Sequence, residues 1–231
     1  MKLALERGFY FPSCDVYADA QAGFWEYGPS GVSFKNKFLE LWRRELIRRD
    51  GMMEIDGSQI MSKSVFEASG HLGSFADPII KCKKCKSTFR ADRTISEIAK
   101  IEIPESADLE EFDNAILQNN IKCPKCKGDF ENTKKFNMMF KVGIGPEEEP
   151  AYLRPETCQS IFVDFPRLFK TMRGKLPMGI AQVGKSFRNE ISPRQSLLRL
   201  REFYQAEIEV FCNPTRLDDV EKFSEIENTI L

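Results

Sequence analysis

Residues 187–211 read FRNEISPRQSLLRLREFYQAEIEVF, and this stretch decides the fold. Two runs alternate with period two, and residues 191–200, containing Pro193, lie between them. The pattern predicts an antiparallel hairpin with a long loop. On the first strand Gln182, Gly184, Ser186, Arg188 and Glu190 share a face. On the second, Arg201, Phe203, Gln205, Glu207 and Glu209 share one face, while Tyr204, Ala206, Ile208 and Val210 fill the other. One side of the sheet is therefore expected to be apolar, and the other to carry arginines, carboxylates and one ring. A half-solvated sheet with a charged outer face has the same pattern. An arginine and a phenylalanine beside carboxylates also suit a nucleotide: guanidinium for phosphate, ring for base, carboxylate for an amine.

Working outward, the chain has 231 residues, 42% hydrophobic and 30% charged, enough for a substantial core and one or two domains. Its net charge of −1 gives no global attraction to nucleic acid. A polyanion would have to be met by local clusters such as Arg43, Arg44, Arg48 and Arg49, or Arg194, Arg199 and Arg201. Exposed helix ends carry similar clusters. The start, MKLALERGFYFPSCD, lacks the apolar run and small-residue cleavage site of a signal peptide. No stretch approaches the roughly 20 apolar residues of a membrane span. Seven cysteines without a secretory signal fit a reducing compartment, so a cytoplasmic location away from membranes is expected.

Residues 33–50 predict a helix with Phe34, Phe38, Leu41, Trp42 and Leu46 as its apolar stripe, ended by Gly51. MMEIDGSQIM reads as a strand, KFNMMFKV as another, and KVGIGPEEEP as a loop. Pro155 is expected to open a helix through Phe165, and an acidic helix is expected from Thr215. Between residues 82 and 126 lies an insertion bounded by cysteine pairs, with a helical pattern around Leu109, Phe112, Ile116 and Leu117. The divisions expected are 1–81 and 127–231 as two parts of one core, with 82–126 as a zinc-binding module. Cys82 and Cys85 form one Cys-x-x-Cys turn, Cys123 and Cys126 the other, and two such turns complete the tetrahedron of structural zinc. Four free thiols or a redox pair are the other readings. Four thiolates leave no open position for catalysis. Cys14, Cys158 and Cys212 are isolated and expected to be buried, and His71, the single histidine, reads as structural.

The order GFYFPSCDVYADAQAGFWEYGPSGVSFKNKF, ASGHLGSFADPIIKCKKC, YLRPETCQSIFVDF and GKSFRNEISPRQSLLRLREFYQAEIEVF resembles dimeric-type glycyl-tRNA synthetase, a class II synthetase, from Arg7 to about Pro214. The resemblance implies an α+β fold, an antiparallel sheet flanked by helices with the cysteine module inserted. Residues 28–50 and the next strand would be motif 1, which contributes to a homodimer interface, and the 187–211 hairpin would be motif 2. It further implies that Arg188 holds the ATP α-phosphate and that Glu190 lies near the adenine or the loop closing on it. These two are the catalytic pair. Phe203 would stack on adenine, with Asn189, Arg199, Leu200 and Arg201 completing the ATP set, and Arg194 and Arg199 would contact nucleotide or the tRNA acceptor end. Glu156 and Glu207 would receive the glycine ammonium group, with Gln205, Phe203 and Arg90 also in the glycine set. ATP, Mg²⁺ and structural zinc are the implied cofactors.

Three departures from the family stand out. Ser62 takes the position of the motif 1 proline, and Cys158 that of an alanine. A Gly-rich motif 3 and an anticodon-binding domain are absent. The chain is therefore expected to be an N-terminal portion, a split half completed by a separate C-terminal half, or a paralogue stripped of parts. The competing function is a non-catalytic synthetase-like protein acting as a nucleic-acid or polymerase accessory. Such a protein would be expected to have lost Arg188, Glu156 or Glu207, and all three are present.

Overall fold

A computed structural model describes residues 1–104, 106–193 and 196–216. Arg194 and the acidic stretch after Arg216 lie outside the described residues. The chain divides into two compact units: Met1–Gly31, Gln59–Pro155 and Ser186–Phe203 form the first, and Val32–Ser58, Glu156–Lys185 and residues from Tyr204 onward form the second.

In chain order the elements are α1 (Lys2–Glu6), β1 (Tyr10–Pro12), β2 (Trp25–Tyr27), α2 (Pro29–Trp42), β3 (Met53–Ile55), β4 (Ile60–Ser62), α3 (Lys63–Ala68) and α4 (His71–Ser74). There follow β5 (Ala76–Lys81), β6 (Thr88–Arg90), α5 (Ala91–Ala99), α6 (Leu109–Gln118), β7 (Lys134–Asn137), β8 (Phe140–Ile144), β9 (Glu149–Leu153), α7 (Cys158–Thr171), β10 (Met178–Phe187) and β11 (Glu202–Phe211).

The first unit holds three small antiparallel ladders, β1–β2, β4–β9–β8 and β6–β5–β7. Its core joins Ile80 of β5, Ile95 of α5, Phe112 and Ile116 of α6, and Phe130, with Cys82 and Cys123 among them. Phe112 and Ile116 are four residues apart and so face the core together, while Leu117 turns outward. Acidic Glu110 and Glu111 occupy the first turn of α6, where the positive end of the helix favours them. In the second unit β10 runs between β11 and β3 and pairs in parallel with β3, Ile180 facing Met53. Ile161 of α7 packs there with Met178, Ile180, Phe165 and Phe211. The fold is thus α+β, with antiparallel ladders in the first unit and a parallel pairing of β3 with β10 in the second.

Several local expectations are corrected. KVGIGPEEEP is not a loop: β8 and β9 pair from Phe140↔Leu153 to Ile144↔Glu149, because Gly145 at φ 69° and Glu148 at φ 51° make the tight reversal. MMEIDGSQIM and KFNMMFKV each divide into two strands. Pro155 does not open the helix; α7 starts three residues later, after Thr157. The predicted helix 33–50 begins instead at Pro29, where a missing N–H costs nothing, and passes into a π-helical turn over Arg43–Arg48. Its stripe is not buried, Phe34 being 69% and Phe38 58% exposed. On β11 the expected apolar face is likewise partly open, with Tyr204 at 40% and Val210 at 51%. The covered face is the other one, where Phe211 stacks on Phe165 of α7 at 3.8 Å between ring centroids. Alternation distinguishes two faces of a strand but does not say which one a helix will cover.

Candidate active site

Two groups of expected site residues are assembled, one in each unit. In the first unit, β10 ends at Phe187 and β11 begins at Glu202, so Arg188, Asn189, Glu190, Arg199, Leu200 and Arg201 all belong to the connection. Its base is pinned by backbone bonds: Arg188 N–H to the Arg201 carbonyl (2.9 Å), Asn189 N–H to the Met138 carbonyl (2.8 Å) and Arg201 N–H to the Gly23 carbonyl (2.8 Å). Arg188 donates Nε to the Pro155 carbonyl at 3.2 Å. Its guanidinium lies 5.4 Å from the Phe203 ring centroid and 5.6 Å from that of Phe75. Two rings therefore hold the planar cation in place. Phe75 was not foreseen, since nothing local in ASGHLGSF marks a ring for an arginine more than a hundred positions away.

Glu190 is taken up by Arg199, whose Nη2 and Nε lie 2.6 and 2.8 Å from Oε2, both side chains being largely buried. Arg201 donates Nε to the Glu190 carbonyl and Nη1 to the Ala22 carbonyl. Burial lowers its pKa, opposed by the nearby Glu190 charge. Leu200 is half-buried. Arg90 also lies in this unit, nearly buried, with Nη1 2.8 Å from Asp77 Oδ2 and a two-pronged bond to Asp92. His71 accepts or donates at Nδ1 to the Ser69 hydroxyl at 2.8 Å and packs on Phe75, which fits the structural role expected of it.

In the second unit the N-terminal end of α7 meets β11. Glu207 Oε2 accepts the N–H groups of Thr157 (2.8 Å) and Cys158 (2.9 Å) and the Thr157 hydroxyl. Gln205 Nε2 approaches Glu207 Oε1 at 3.5 Å. Glu156 Oε2 accepts Gln159 Nε2 at 3.2 Å and the Cys158 thiol at 3.4 Å. Burial, with help from Glu207 and Glu156, raises the Glu209 pKa. Burial first, and then Glu207 and Glu156, push the Cys158 thiol up to about 12, so it stays a neutral S–H. The amide oxygens of Gln159 and Gln205 are buried and accept no hydrogen bond among the described residues. Three carboxylates and two unsatisfied amide oxygens are thus gathered here, acceptors that a cationic donor could use. Thr157 and Gln159 were not singled out from sequence, and Glu209 was placed on the charged face of its strand without a role of its own.

The four cysteines of the insertion converge. Cys82 and Cys126 Sγ lie 3.5 Å apart, Cys85 and Cys123 Sγ 3.7 Å, and all four fall within 4.8 Å of one another. A tetrahedral zinc with bonds of about 2.3 Å separates its sulfurs by about 3.8 Å, so the set fits that ion. Each turn closes alike: Lys86 N–H returns to the Cys82 carbonyl and Lys127 N–H to the Cys123 carbonyl, with both lysines in the left-handed region. Of the isolated cysteines, Cys14 and Cys212 are exposed rather than buried, and Cys158 is half-buried. The arginines after Trp42 are neutralised locally: Arg43 by Glu54, Arg44 by Glu45, Arg48 by Glu40 and Arg49 by Asp50.

Residues 132–230 match the family model described as the tRNA synthetase class II core domain (G, H, P, S and T). Glycine–tRNA ligase of Methanothrix thermoacetophila is 46% identical over 228 residues, covering 98% of this chain and 39% of the relative. The enzymes of that name from Methanocaldococcus jannaschii and Pyrococcus furiosus are 45% and 46% identical. Over nearly its whole length the chain is similar to glycine–tRNA ligases. It spans about 40% of the length of these relatives. A solved threonyl-tRNA synthetase from Cryptosporidium parvum, described as its RNA binding domain, shares the fold at a TM-score of 0.57 with 20% identity, over 98% of this chain and 40% of that one. A threonyl-tRNA synthetase from Aeropyrum pernix does so at 0.56 with 16% identity, over 97% and 37%. The glycyl-synthetase resemblance and the class II fold thus stand on independent comparisons of sequence and structure. Among the described residues no helix is long and apolar enough to cross a membrane.

Proposed function

We propose that the chain is a catalytic-core portion of a glycine–tRNA ligase, activating glycine with ATP to the adenylate and passing it to tRNA. The observation that carries the reading is the acidic group on α7 and β11. A primary ammonium offers three donors and a positive charge, and Glu156, Glu207 and the buried amide oxygens of Gln159 and Gln205 offer matching acceptors. Glycine's carboxylate attacks the α-phosphorus, pyrophosphate leaves, and the adenylate yields glycine to the terminal hydroxyl of tRNA. Such a step needs positioning and charge stabilisation more than proton transfer by side chains. Arg188, gripped between Phe203 and Phe75, is preset to take two oxygens of the α-phosphate, and Phe203 is also the ring assigned to adenine. Glu190 holds Arg199, fixing the loop beside the nucleotide. Mg²⁺ bound with ATP would neutralise the charge developing on the phosphates.

Excluding alanine is a size problem, since one methyl group is worth only about 1–3 kcal/mol of pocket attraction. Crowding of the ammonium by Glu156, Glu207 and Cys158 supports a pocket too small for a side chain. Zinc in the four-cysteine cluster would hold the inserted module together. The exposed stripe on α2 supports a homodimer, and an all-thiol cysteine set suits a cytoplasmic location. Arg90, assigned to the glycine set by resemblance, is held by Asp77 and Asp92.

The deciding experiment is glycine-dependent ATP–pyrophosphate exchange, with alanine and serine as controls, by the chain alone and with the remaining part of the enzyme supplied. Exchange specific to glycine in either mixture supports the reading. Silence in both removes it.

A further inference from the structure

Glu207 is held unevenly. Its Oε2 takes three donors, the N–H of Thr157 at 2.8 Å, the N–H of Cys158 at 2.9 Å and the Thr157 hydroxyl. Its Oε1 has only the Gln205 amide at 3.5 Å among the described residues. Thr157 occupies the N-cap of α7, a helix of 14 residues, where a threonine hydroxyl ordinarily bonds back to an N–H of its own first turn. Here it makes no such bond and reaches across to a strand residue fifty positions away. It is fully buried. The unpaired N–H groups that every helix leaves at its start are thus answered by a carboxylate from β11 instead of by the cap residue itself.

This arrangement has a chemical consequence. Saturating one oxygen leaves the other as the single outward acceptor, with its direction fixed by the clamp.

We propose that Thr157 is a positioning residue for the amino-acid site: it ties Oε2 of Glu207 to the start of α7, so that Oε1 is the oxygen offered to the substrate ammonium group. The proposal rests on the reading that Glu207 receives that group. Substrate recognition would then depend on a side chain that never touches substrate.

The test is calorimetric titration of the 231-residue chain with glycine, comparing wild type with Thr157→Val, Thr157→Ser, Glu207→Asp and Glu207→Gln. Valine keeps the shape and removes the hydroxyl, and should weaken glycine at least tenfold with an unfolding midpoint within a few degrees of wild type. Serine restores the hydroxyl and should bind within about threefold of wild type. Aspartate keeps the charge but is too short to reach the clamp, and should bind as poorly as valine. Wild-type affinity in either Thr157→Val or Glu207→Asp, with Glu207→Gln inactive, overturns the clamp and leaves the ammonium site standing. If wild type itself binds no glycine, the ammonium reading falls. The ¹³C resonance of the Glu207 carboxylate then decides the clamp alone, and an unchanged resonance in Thr157→Val overturns it.

Discussion

Under the proposed function, Arg188 would be made ready for a phosphate before any phosphate arrives. Its Nε is fixed by the Pro155 carbonyl and its plane by two rings, so little rotamer freedom remains to be lost on binding. Replacing it with alanine should weaken ATP by one to two orders of magnitude, the equivalent of about 1.5–3 kcal/mol for a charge-assisted contact. Arg188→Lys should recover little of that, since an ammonium neither stacks on Phe203 and Phe75 nor bonds two oxygens in a plane. Equilibrium binding of a non-hydrolysable ATP analogue measures both, and unchanged affinity in Arg188→Ala would remove the motif 2 assignment. Cys158 gives a pH prediction. Its folded pKa of about 12 stands above the ordinary value of 9, so the folded chain keeps a proton that the unfolded chain releases. The associated stability is complete below pH 9 and declines as pH rises toward 12. At pH 8 the exposed Cys14 and Cys212 should alkylate readily and Cys158 slowly, read by mass spectrometry of labelled peptides. Rapid labelling of Cys158 would contradict its placement between two carboxylates.

At the scale of elements, the cysteine module was the most legible part. Two Cys-x-x-Cys turns state their own chemistry, and the helix that fills the space between them announces itself through Phe112 and Ile116 at helical spacing. The β8–β9 hairpin was hidden because GIGPEEE looks like loop composition; only the left-handed backbone at Gly145 and Glu148 reveals the reversal. The start of α7 was misplaced because Pro155 satisfies a helix-start rule, while the N–H groups that open the helix, those of Thr157 and Cys158, are taken by Glu207. Thr157's partner, fifty residues on, leaves no local trace in sequence. Glu156 and Glu207 were assigned to the amino-acid site through resemblance to a family, since a lone glutamate is ordinarily solvated. The sulfurs of Cys82 and Cys123 lie inside the same core as Ile80, Ile95 and Phe112. Removing the metal with a strong chelator should therefore melt α5 and α6 together, with a matching loss of helical circular dichroism. Elemental analysis should give about one zinc per chain, and a zinc-free protein that is fully helical would exclude the site. Gly128 offers a finer test. A Cβ there would stand 2.9 Å from Lys84 Cβ and 3.2 Å from Cys82 Sγ, so Gly128→Ala should lower zinc affinity roughly tenfold by spreading the thiolates.

For the molecule as a whole, neither charge nor core accounts for α2. A helix bearing Phe34, Phe38 and Leu41 in a stripe ought to bury it, yet these side chains are 69%, 58% and 46% exposed. The same helix is well started by Pro29, and Gly31 in its first turn lies so close to the Phe9 carbonyl that no larger residue would fit. Lys35 Nζ sits 3.8 Å over the Tyr204 ring, so the polar side of the helix is engaged while the aromatic side is open. An apolar stripe of this kind would suit an interface, and a closed symmetric pair would let the same residues cover one another. Phe38→Glu should therefore convert a dimer to a monomer in light scattering while leaving the unfolding midpoint of the separated chain unchanged, because the ring contributes little to the chain's own core. Phe34→Glu should act alike and Glu40→Gln should not, since Glu40 pairs with Arg48. A wild-type chain that is monomeric at high concentration, or a Phe38→Glu protein that still dimerises, would show that the stripe serves some other surface and that Ser62, at the position of the family's proline, accompanies a different assembly.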